Sequence, residues 1–195
     1  MRVFTPLRSR NDIFYLDTDR LLLRVVRPES AAGIANYLLR NRSFHKPFHP
    51  FQPDEYFTVE EQRQYILSDI RAFRNDERFP FWISHRDRPE WIIGRLSFSG
   101  VVRGALLSCT VGYHMDMEET GMGYMKEALA LGCSYVFREQ GLHRIQADVM
   151  THNTPSIRTV LSCGFRQQGL NEKYMCIDGK WQDHLCFAKI NDSES

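Results

Sequence analysis

Two glycines and the helical pattern behind them are the part of this chain whose spacing best fits a site for chemistry. In TGMGYMKEAL, residues 120–129, Gly121 and Gly123 can adopt a positive φ and let a ligand approach the backbone closely. A helix that begins directly after them leaves its first N–H groups unpaired and presents the positive end of its dipole. The stretch predicts a phosphate or pyrophosphate site, or otherwise a simple tight turn.

Two familiar nucleotide-binding patterns do not fit this stretch. The dinucleotide fingerprint needs a third glycine, and Lys126 stands at its position. The P-loop needs a Gly-Lys-Ser/Thr ending, which the chain lacks here. The anion would therefore be held in another kind of glycine loop.

A second group of reactive side chains lies in FHKPFHPFQP, where His45 and His49 stand four residues apart. On a helix this spacing would put both imidazoles on one face, as in a zinc site. Pro47 and Pro50 break any such helix, and no cysteine pair accompanies the histidines. We therefore expect a proline-rich loop with two solvated histidines, and no metal.

The elements that must position these residues follow from hydrophobic periodicity, since alternation predicts strands and spacings of three and four predict helices. The predicted strands are 20–26, 79–85, 91–100, 105–115, 143–150 and a hairpin of 173–177 and 180–190 that turns at Asp178-Gly179. The predicted helices are 31–40, one from Thr58 to about Asn75, one behind the glycines that Gly141 ends, and 155–163.

Local signals add detail to this outline. Ser30 is expected to cap the first helix, and Thr58, with Glu61 in a capping box, the second. The segment 41–57 is rich in proline and aromatic residues and predicts a loop or a short broken helix. Trp181 and Phe187 alternate inward on the hairpin and are predicted to lie in the core. The order of elements predicts one α/β domain with a mixed sheet.

Composition sets the class of protein. The 195 residues suffice for one domain, and 43% apolar and 25% charged residues are ordinary for a soluble protein. A net charge of +1 disfavours a protein that grips nucleic acid through phosphates, so no direct nucleic-acid contact is expected. There is no apolar run long enough for a membrane span and no signal-peptide pattern. Five irregularly spaced cysteines without CxxC indicate reduced thiols, hence a cytoplasmic location.

Several motifs in order resemble the GNAT acetyltransferase superfamily. The stretch YHMDMEETGMGYMKEALALGCSYVF resembles its motif A, and HRIQADVMTHNTPSIRTVLSCGF resembles the following strand, asparagine and helix. IDGKWQDH, TDRLLLRVV, NRSFHKPF and FSGVVRG resemble the RimJ/RimL-type alanine N-acetyltransferases of ribosomal proteins. The resemblance covers residues of about 17 to 190. It implies a GNAT fold: a single mixed, mostly antiparallel twisted sheet flanked by helices, as one domain over 1–195 with 1–16 as an N-terminal extension.

The resemblance implies acetyl-CoA as the acetyl donor, CoA as product and no metal. Loop amides would hold the pyrophosphate, strand-edge groups would hold the pantetheine arm, and Asn153 would serve the pantetheine amides or cap its helix. The cofactor-binding residues implied are Val111, Gly112, Tyr113, Glu118, Thr120, Gly121, Met122, Gly123, Tyr124, Met125, Asn153, Ser156 and Arg158. The backbone N–H at position 111 or 113 would polarise the thioester carbonyl.

Three departures from the family pattern matter for chemistry. Glu118 occupies the Gln/Arg position of motif A, and Met122 stands where Lys or Arg is frequent. A carboxylate repels pyrophosphate, so backbone amides, Lys126 or Arg158 are expected to compensate. Many members carry a tyrosine that protonates the leaving thiolate, and this chain has Val160 there.

The resemblance also suggests groups for proton transfer, each with a plainer alternative. Asp148 lies five residues before Asn153, where related enzymes place a glutamate base, or it is a solvated strand-end carboxylate. Glu172 lies near another family base, or is a surface carboxylate beside Lys173. Ser156 is the candidate acid, or an ordinary polar residue of the first helical turn.

The acceptor implied is a primary amine, most specifically the N-terminal alanine or serine of a protein such as a ribosomal protein. The aromatic residues that would build the acceptor wall, or else pack in the core, are Phe44, Phe48, Phe51, Tyr56 and Phe57. Two alternatives stay open: acetylation of a small amine, and a fold that binds acyl-CoA without turnover. The chain is expected to be a monomer or homodimer away from membranes.

Overall fold

A computed structural model describes residues 13–191. Their strands form one sheet of eight, in the order β1-β2-β3-β4-β5-β6-β8-β7. The strands are β1 Phe14–Asp17, β2 Leu21–Val25, β3 Phe79–His85, β4 Arg88–Val102, β5 Ser108–Met115, β6 Arg144–Met150, β7 Arg166–Ile177 and β8 Lys180–Ile190. Only β5 and β6 pair in parallel, and every other pair is antiparallel, so the prediction of a mixed, mostly antiparallel sheet flanked by helices is confirmed.

Five α-helices flank the sheet in the described part of the chain. They are α1 Ala31–Arg40, α2 Arg42–His45, α3 Val59–Arg74, α4 Tyr124–Arg138 and α5 Thr154–Ser162. Short 3-10 turns at Pro28–Ser30, Lys46–Phe48, Asp54–Phe57 and Met117–Glu119 join them to their neighbours. The proline-rich segment is thus a broken helix, as one of the two predicted alternatives has it.

Helix starts agree with the sequence at Thr58 and differ at Ser30. The Thr58 side chain accepts a hydrogen bond from the Glu61 N–H, as a capping residue should. The Ser30 side chain makes no capping hydrogen bond, because the preceding 3-10 turn already gives Ser30 helical backbone angles. A side-chain cap needs an extended backbone at that position, and the prediction for Ser30 is therefore wrong.

The core fills both faces of the central strands. Phe79, Phe81 and Ile83 on β3 and Phe98 on β4 are fully buried. Gly132 of α4 packs against Phe98. A Cβ at Gly132 would stand 2.7 Å from the Leu96 side chain, so this glycine permits close packing of helix on sheet.

The terminal hairpin turns at Asp178 and Gly179, whose φ values of 46° and 77° fit the predicted type I′ turn. Phe187 on β8 is fully buried, as predicted, but Trp181 is 65% exposed. Trp181 pairs with Cys176 close to the turn, where the hairpin extends beyond the core. The prediction of an inward Trp181 is wrong for that reason.

Candidate active site

The sheet opens between its two parallel strands. β5 pairs with β6 only from Ser108 opposite Arg144 to Thr110 opposite Gln146. Beyond this point β5 stays paired with β4 and β6 with β8, so the two strands diverge. The edges of both strands that face the opening are left without a strand partner. Val111 and Gly112 lie at this opening, and a Cβ at Gly112 would meet no atom within 4 Å.

The glycine loop lies at the start of α4. Gly121 and Gly123 have φ values of 79° and 77°, a conformation that glycine adopts without strain. Gly123 is the residue before the first turn of α4, where N–H groups are free of helical partners. Thr120 closes the loop by donating from its hydroxyl to the Met117 carbonyl at 2.8 Å. The local geometry is that of an anion site.

A cleft of about 710 Å³ connects this loop to the other face of the sheet. Its lining includes residues of the 41–57 segment, β5, the glycine loop, α4 and α5. These residues are Phe44, His45, Phe48, His49, Tyr113, His114, Met115, Glu119, Thr120, Gly121, Gly123, Tyr124, Met125, Lys126, Asn153, Pro155, Ser156, Arg158, Thr159 and Ser162.

The cleft passes through the sheet. Tyr113 and His114 are neighbours on β5, and neighbouring side chains of a strand point to opposite faces. Tyr113 contacts Ser156 of α5 on one face, and His114 contacts Tyr37 of α1 on the other. Both side chains line the cleft, so it reaches from the α4–α5 face to the α1–α2 face through the opening beside β5.

Most side chains predicted to bind the cofactor meet in this cleft, and four do not line it. The predicted residues that line the cleft are Tyr113, Thr120, Gly121, Gly123, Tyr124, Met125, Asn153, Ser156 and Arg158. Val111 is buried in the core and Gly112 has no side chain, so their predicted roles rest on backbone groups. Glu118 and Met122 are exposed outside the lining.

The positive charge near the loop comes from more residues than the sequence suggested. Lys126 and Arg158 line the cleft, as the compensation hypothesis requires. Arg20 was not predicted: its Nε donates to Glu127 Oε2 at 2.7 Å and its Nη1 to the Met122 carbonyl at 3.4 Å. Its guanidinium also lies 4.7 Å from the centre of the Tyr124 ring. The only local hint was its place in the TDRLLLRVV stretch.

A hydroxyl pair stands where the cleft passes β5. The Tyr113 hydroxyl lies 2.8 Å from Ser156 Oγ and donates to the Ser156 carbonyl at 3.1 Å. Burial raises the pKa of Tyr113 above its ordinary value, while the hydrogen bond to Ser156 lowers it less, so the phenol keeps its proton. Asn153 Oδ1 accepts from the Ser156 N–H at 3.2 Å, which makes Asn153 the cap of α5 as well as a lining residue. Val160 is fully buried.

Three imidazoles cluster at the α1–α2 end of the cleft. Ring centres of His45, His49 and His114 are 4.9 to 5.3 Å apart. Nε2 of His45 lies 2.8 Å from the Met115 carbonyl, and Nδ1 of His114 lies 2.6 Å from the Tyr37 hydroxyl. His45 and His49 are half-buried rather than freely solvated as predicted, because α2 and the next turn fold the 41–57 segment back onto β5. His114 was not singled out in the sequence.

Desolvation governs the charge of this cluster. Burial, with smaller contributions from His45 and Arg95, lowers the pKa of His49 to about 4. Burial likewise lowers the pKa of His45 and, more strongly, that of His114. The three imidazoles are therefore neutral near pH 7.

The predicted acceptor wall is only partly built from the expected rings. Phe44 and Phe48 line the cleft beside the histidines. Phe51 is 74% exposed outside it, and Tyr56 and Phe57 pack against the core. Lys46 Nζ lies 3.9 Å from Asp178 Oδ1, so the hairpin turn borders this end of the cleft.

Asp148 and Glu172 lie apart from the lining. The Asp148 carboxylate accepts from Gln146 Nε2 at 3.0 and 3.2 Å, from Asn171 Nδ2 at 3.4 Å and from the Tyr174 hydroxyl at 3.4 Å. It thereby ties β6 to β7. Glu172 is exposed on β7. Their roles as bases stay predictions.

Within residues 13–191, no group of three or more His, Cys, Asp or Glu side chains is arranged to hold a metal ion. Over the same residues, no helix has the length and apolar character that crossing a membrane requires.

Comparison with known proteins agrees with this geometry. Residues 20–166 match the Acetyltransferase (GNAT) domain family. The chain is 38% identical over 174 residues to the [ribosomal protein uS5]-alanine N-acetyltransferase of Escherichia coli, covering 89% of each chain.

Solved structures give the same result. The ribosomal-protein-S5-alanine acetyltransferase of Vibrio fischeri superposes with a TM-score of 0.88 at 31% identity, covering 93% of this chain and 98% of that one. RimJ of Mycobacterium smegmatis, solved with CoA-disulfide, gives 0.83 at 31% identity, covering 88% and 82%. With this sequence match, fold and cleft, the chain belongs to the GNAT family of N-acetyltransferases and is of the RimJ/RimL type.

Proposed function

We propose that this protein transfers the acetyl group of acetyl-CoA to the N-terminal α-amine of a protein, and that a ribosomal protein beginning with alanine or serine is the acceptor. The observation that carries the proposal is the cleft through the sheet, with an anion site at one face and an aromatic and imidazole wall at the other. The name of the Escherichia coli relative supports the choice of acceptor.

The residues present fit acetyl-CoA. The positive φ values of Gly121 and Gly123 leave the first amides of α4 open for the pyrophosphate, with Lys126 and Arg158 in the same lining. The free edge of β5 from Val111 to Tyr113 can pair with the amides of the pantetheine arm. When bound, acetyl-CoA would supply the activated acetyl group, and these residues would hold it in the cleft beside the opening.

Side-chain and backbone groups of the chain can protonate the leaving thiolate and stabilise the carbonyl oxygen. Tyr113 and Ser156 are placed to give a proton to a thiolate leaving on their side of the opening, which Val160 cannot do. A backbone N–H of Val111 or Tyr113 on the free edge can donate to the carbonyl oxygen as charge develops.

The charge of the lining bears on the small-amine alternative. Its charged members, apart from the histidines, are Glu119, Lys126 and Arg158. Glu119 is engaged at 2.9 Å by His85 Nε2. A polyamine would meet no free carboxylate among these, so this lining does not favour a polycation.

A thiol-release assay tests the proposal. The acceptors are peptides with free Ala, Ser or Met termini, their N-blocked lysine-containing counterparts, and several small amines. Turnover with free Ala or Ser termini that blocking abolishes is the expected result. Activity on a small amine alone would overturn the choice of acceptor. Binding of acetyl-CoA without turnover of any amine would favour the non-catalytic alternative.

A further inference from the structure

The cluster of three imidazoles lies across the sheet from the glycine loop and α5, away from the groups proposed to hold the pyrophosphate. It lines the end of the cleft from which an acceptor amine can approach the opening beside β5. Attack by an amine releases a proton at that place, so a proton acceptor is needed there.

We propose that His49 takes up the proton of the acceptor amine, and that His45 and His114 position it. This inference rests on the proposed function and adds a catalytic residue to it. Within the described residues His49 contacts His45 and His114 through its ring and has no hydrogen-bond partner, whereas each of the other two is tied through one nitrogen. His49 therefore has both nitrogens available.

The nitrogens of His49 are open to the cleft. Among the described residues, some buried side-chain nitrogens and oxygens lack a hydrogen-bond partner. None of these atoms belongs to His45, His49 or His114. Since His49 has no hydrogen-bond partner there, its nitrogens are accessible to solvent, and its side chain lines the cleft. An acceptor amine that enters the cleft can therefore reach them.

The tautomers of its neighbours support this assignment. The Met115 carbonyl only accepts, so His45 Nε2 carries the hydrogen of that bond. The Tyr37 hydroxyl holds His114 from α1, and the Tyr37 pKa lies well above its ordinary value, mainly through burial, so this phenol stays protonated. These contacts fix the two rings that His49 packs against, His45 by stacking and His114 edge to face.

The proton and electron balance is simple. The lone pair of the amine nitrogen forms the C–N bond, the C–S bond breaks, and the proton on that nitrogen passes to His49. The thiolate takes a proton from the Tyr113–Ser156 pair, His49 gives its proton to water, and the pair regains a proton from water, so the cycle closes. As the C–N bond forms, the nitrogen becomes positive and its proton more acidic than that of a free ammonium, so a weakly basic imidazole suffices.

The same cluster would select among amines. Its neutral rings, with Phe44 and Phe48 beside them, place no negative charge next to an ammonium, and the guanidinium of Arg95 is near enough to lower the pKa of His49. An α-amine with a pKa near 8 is partly neutral at pH 7.5, whereas a lysine side chain with a pKa near 10.4 is almost wholly charged. The site therefore favours α-amines over ε-amines.

The test combines kinetics with spectroscopy of the free protein. His49→Ala should lower kcat by about tenfold or more while leaving the KM for acetyl-CoA unchanged, and added imidazole should restore much of the loss. His143→Gln, at the far end of β6, is the matched control and should keep wild-type kcat. The ¹⁵N NMR signals of His49 in the free, histidine-labelled protein are identified as those that disappear in His49→Ala. They should show a neutral ring at pH 6.

Three results would overturn the assignment. They are a kcat of His49→Ala within twofold of wild type, a loss that imidazole does not restore, and a His49 ring that is protonated at pH 7. Each variant is assayed on both an alanine peptide and a small amine. If the wild type acts only on the small amine, the proposed function fails, and the His49 comparison is still read on that amine.

Discussion

The Tyr113 hydroxyl and Ser156 Oγ, from a strand and a helix 43 residues apart in sequence, lie 2.8 Å from each other inside the cleft. By the family resemblance, a tyrosine that protonates the leaving thiolate would stand at position 160. This chain has Val160 there, and it is buried in the core. In this chain the Tyr113 hydroxyl lines the cleft from β5, across from α5. It contacts Ser156, the residue that the sequence suggested as the acid.

If this pair acts as one proton donor, its members should not be independent. Tyr113→Phe and Ser156→Ala should each lower kcat by about tenfold or more, and the double variant should be little worse than the poorer single one. Tyr65→Phe, at an exposed position of α3, is the control. Losses that simply multiply in the double variant would mean that the two hydroxyls do not share a function.

The role of the glycine loop in cofactor binding can be tested against a matched glycine at the other end of α4. Gly121 and Gly141 flank α4 with φ values of 79° and 61°, and a Cβ at either would meet no atom within 4 Å. Alanine at either site should cost about 1–2 kcal/mol of stability through the backbone alone. Only Gly121→Ala should also raise the KM for acetyl-CoA severalfold. An equal rise in Gly141→Ala would show that the loop has no special part in cofactor binding.

Arg20 connects β2 to the glycine loop through Glu127, the Met122 carbonyl and the Tyr124 ring. Because its side chain is half exposed, its ion pair should contribute less than about 1 kcal/mol to stability. Arg20→Ala should instead raise the KM for acetyl-CoA about three- to tenfold with little change in kcat. Arg63→Ala, which removes an exposed pair on α3, should change neither constant. A Tm loss without a KM change would make Arg20 a structural residue only.

The local features of this fold could be read from the sequence because they depend on neighbouring residues. The apolar and aromatic run FPFWISH predicted β3 at its observed bounds, Thr58 the start of α3, and Asp178-Gly179 the hairpin turn. The motif order was sufficient for the family. β1, a short edge strand, has no comparable signal and was not predicted.

The site was predictable only where its residues are close in sequence. The glycine loop and the cap of α5 were found because their function depends on local backbone geometry. Arg20 reaches Glu127 over 107 positions, and Tyr37 reaches His114 over 77. Such contacts depend on sheet order and on the opening between β5 and β6, which local periodicity does not encode.

Asp148 offers a direct comparison with the imidazole cluster. Its carboxylate already accepts from Gln146, Asn171 and Tyr174, and a carboxylate so engaged is less available to a substrate proton. Asp148→Asn and Glu172→Gln should therefore keep kcat within about threefold of wild type. A fall of about tenfold or more in either variant would restore that residue as the base.

The cluster also predicts how stability changes with pH, independently of catalysis. The pKa of His49 is lowered to about 4 in the folded chain and is about 6.5 when unfolded, so between these values the unfolded state binds more protons. Stability should therefore fall as the pH drops from 6.5 toward 4. Burial is the main cause of this lowered pKa, and His45 and Arg95 contribute to it, while the ring of His114 packs against His49.

His49→Gln removes one titrating group from the cluster without adding a charge. Its Tm should decline less steeply than that of the wild type between pH 6.5 and 4.5. Differential scanning calorimetry over that range measures both. Parallel slopes for His49→Gln and wild type would mean that His49 titrates alike in the folded and unfolded chain, and the cluster would then be hydrated rather than packed against β5.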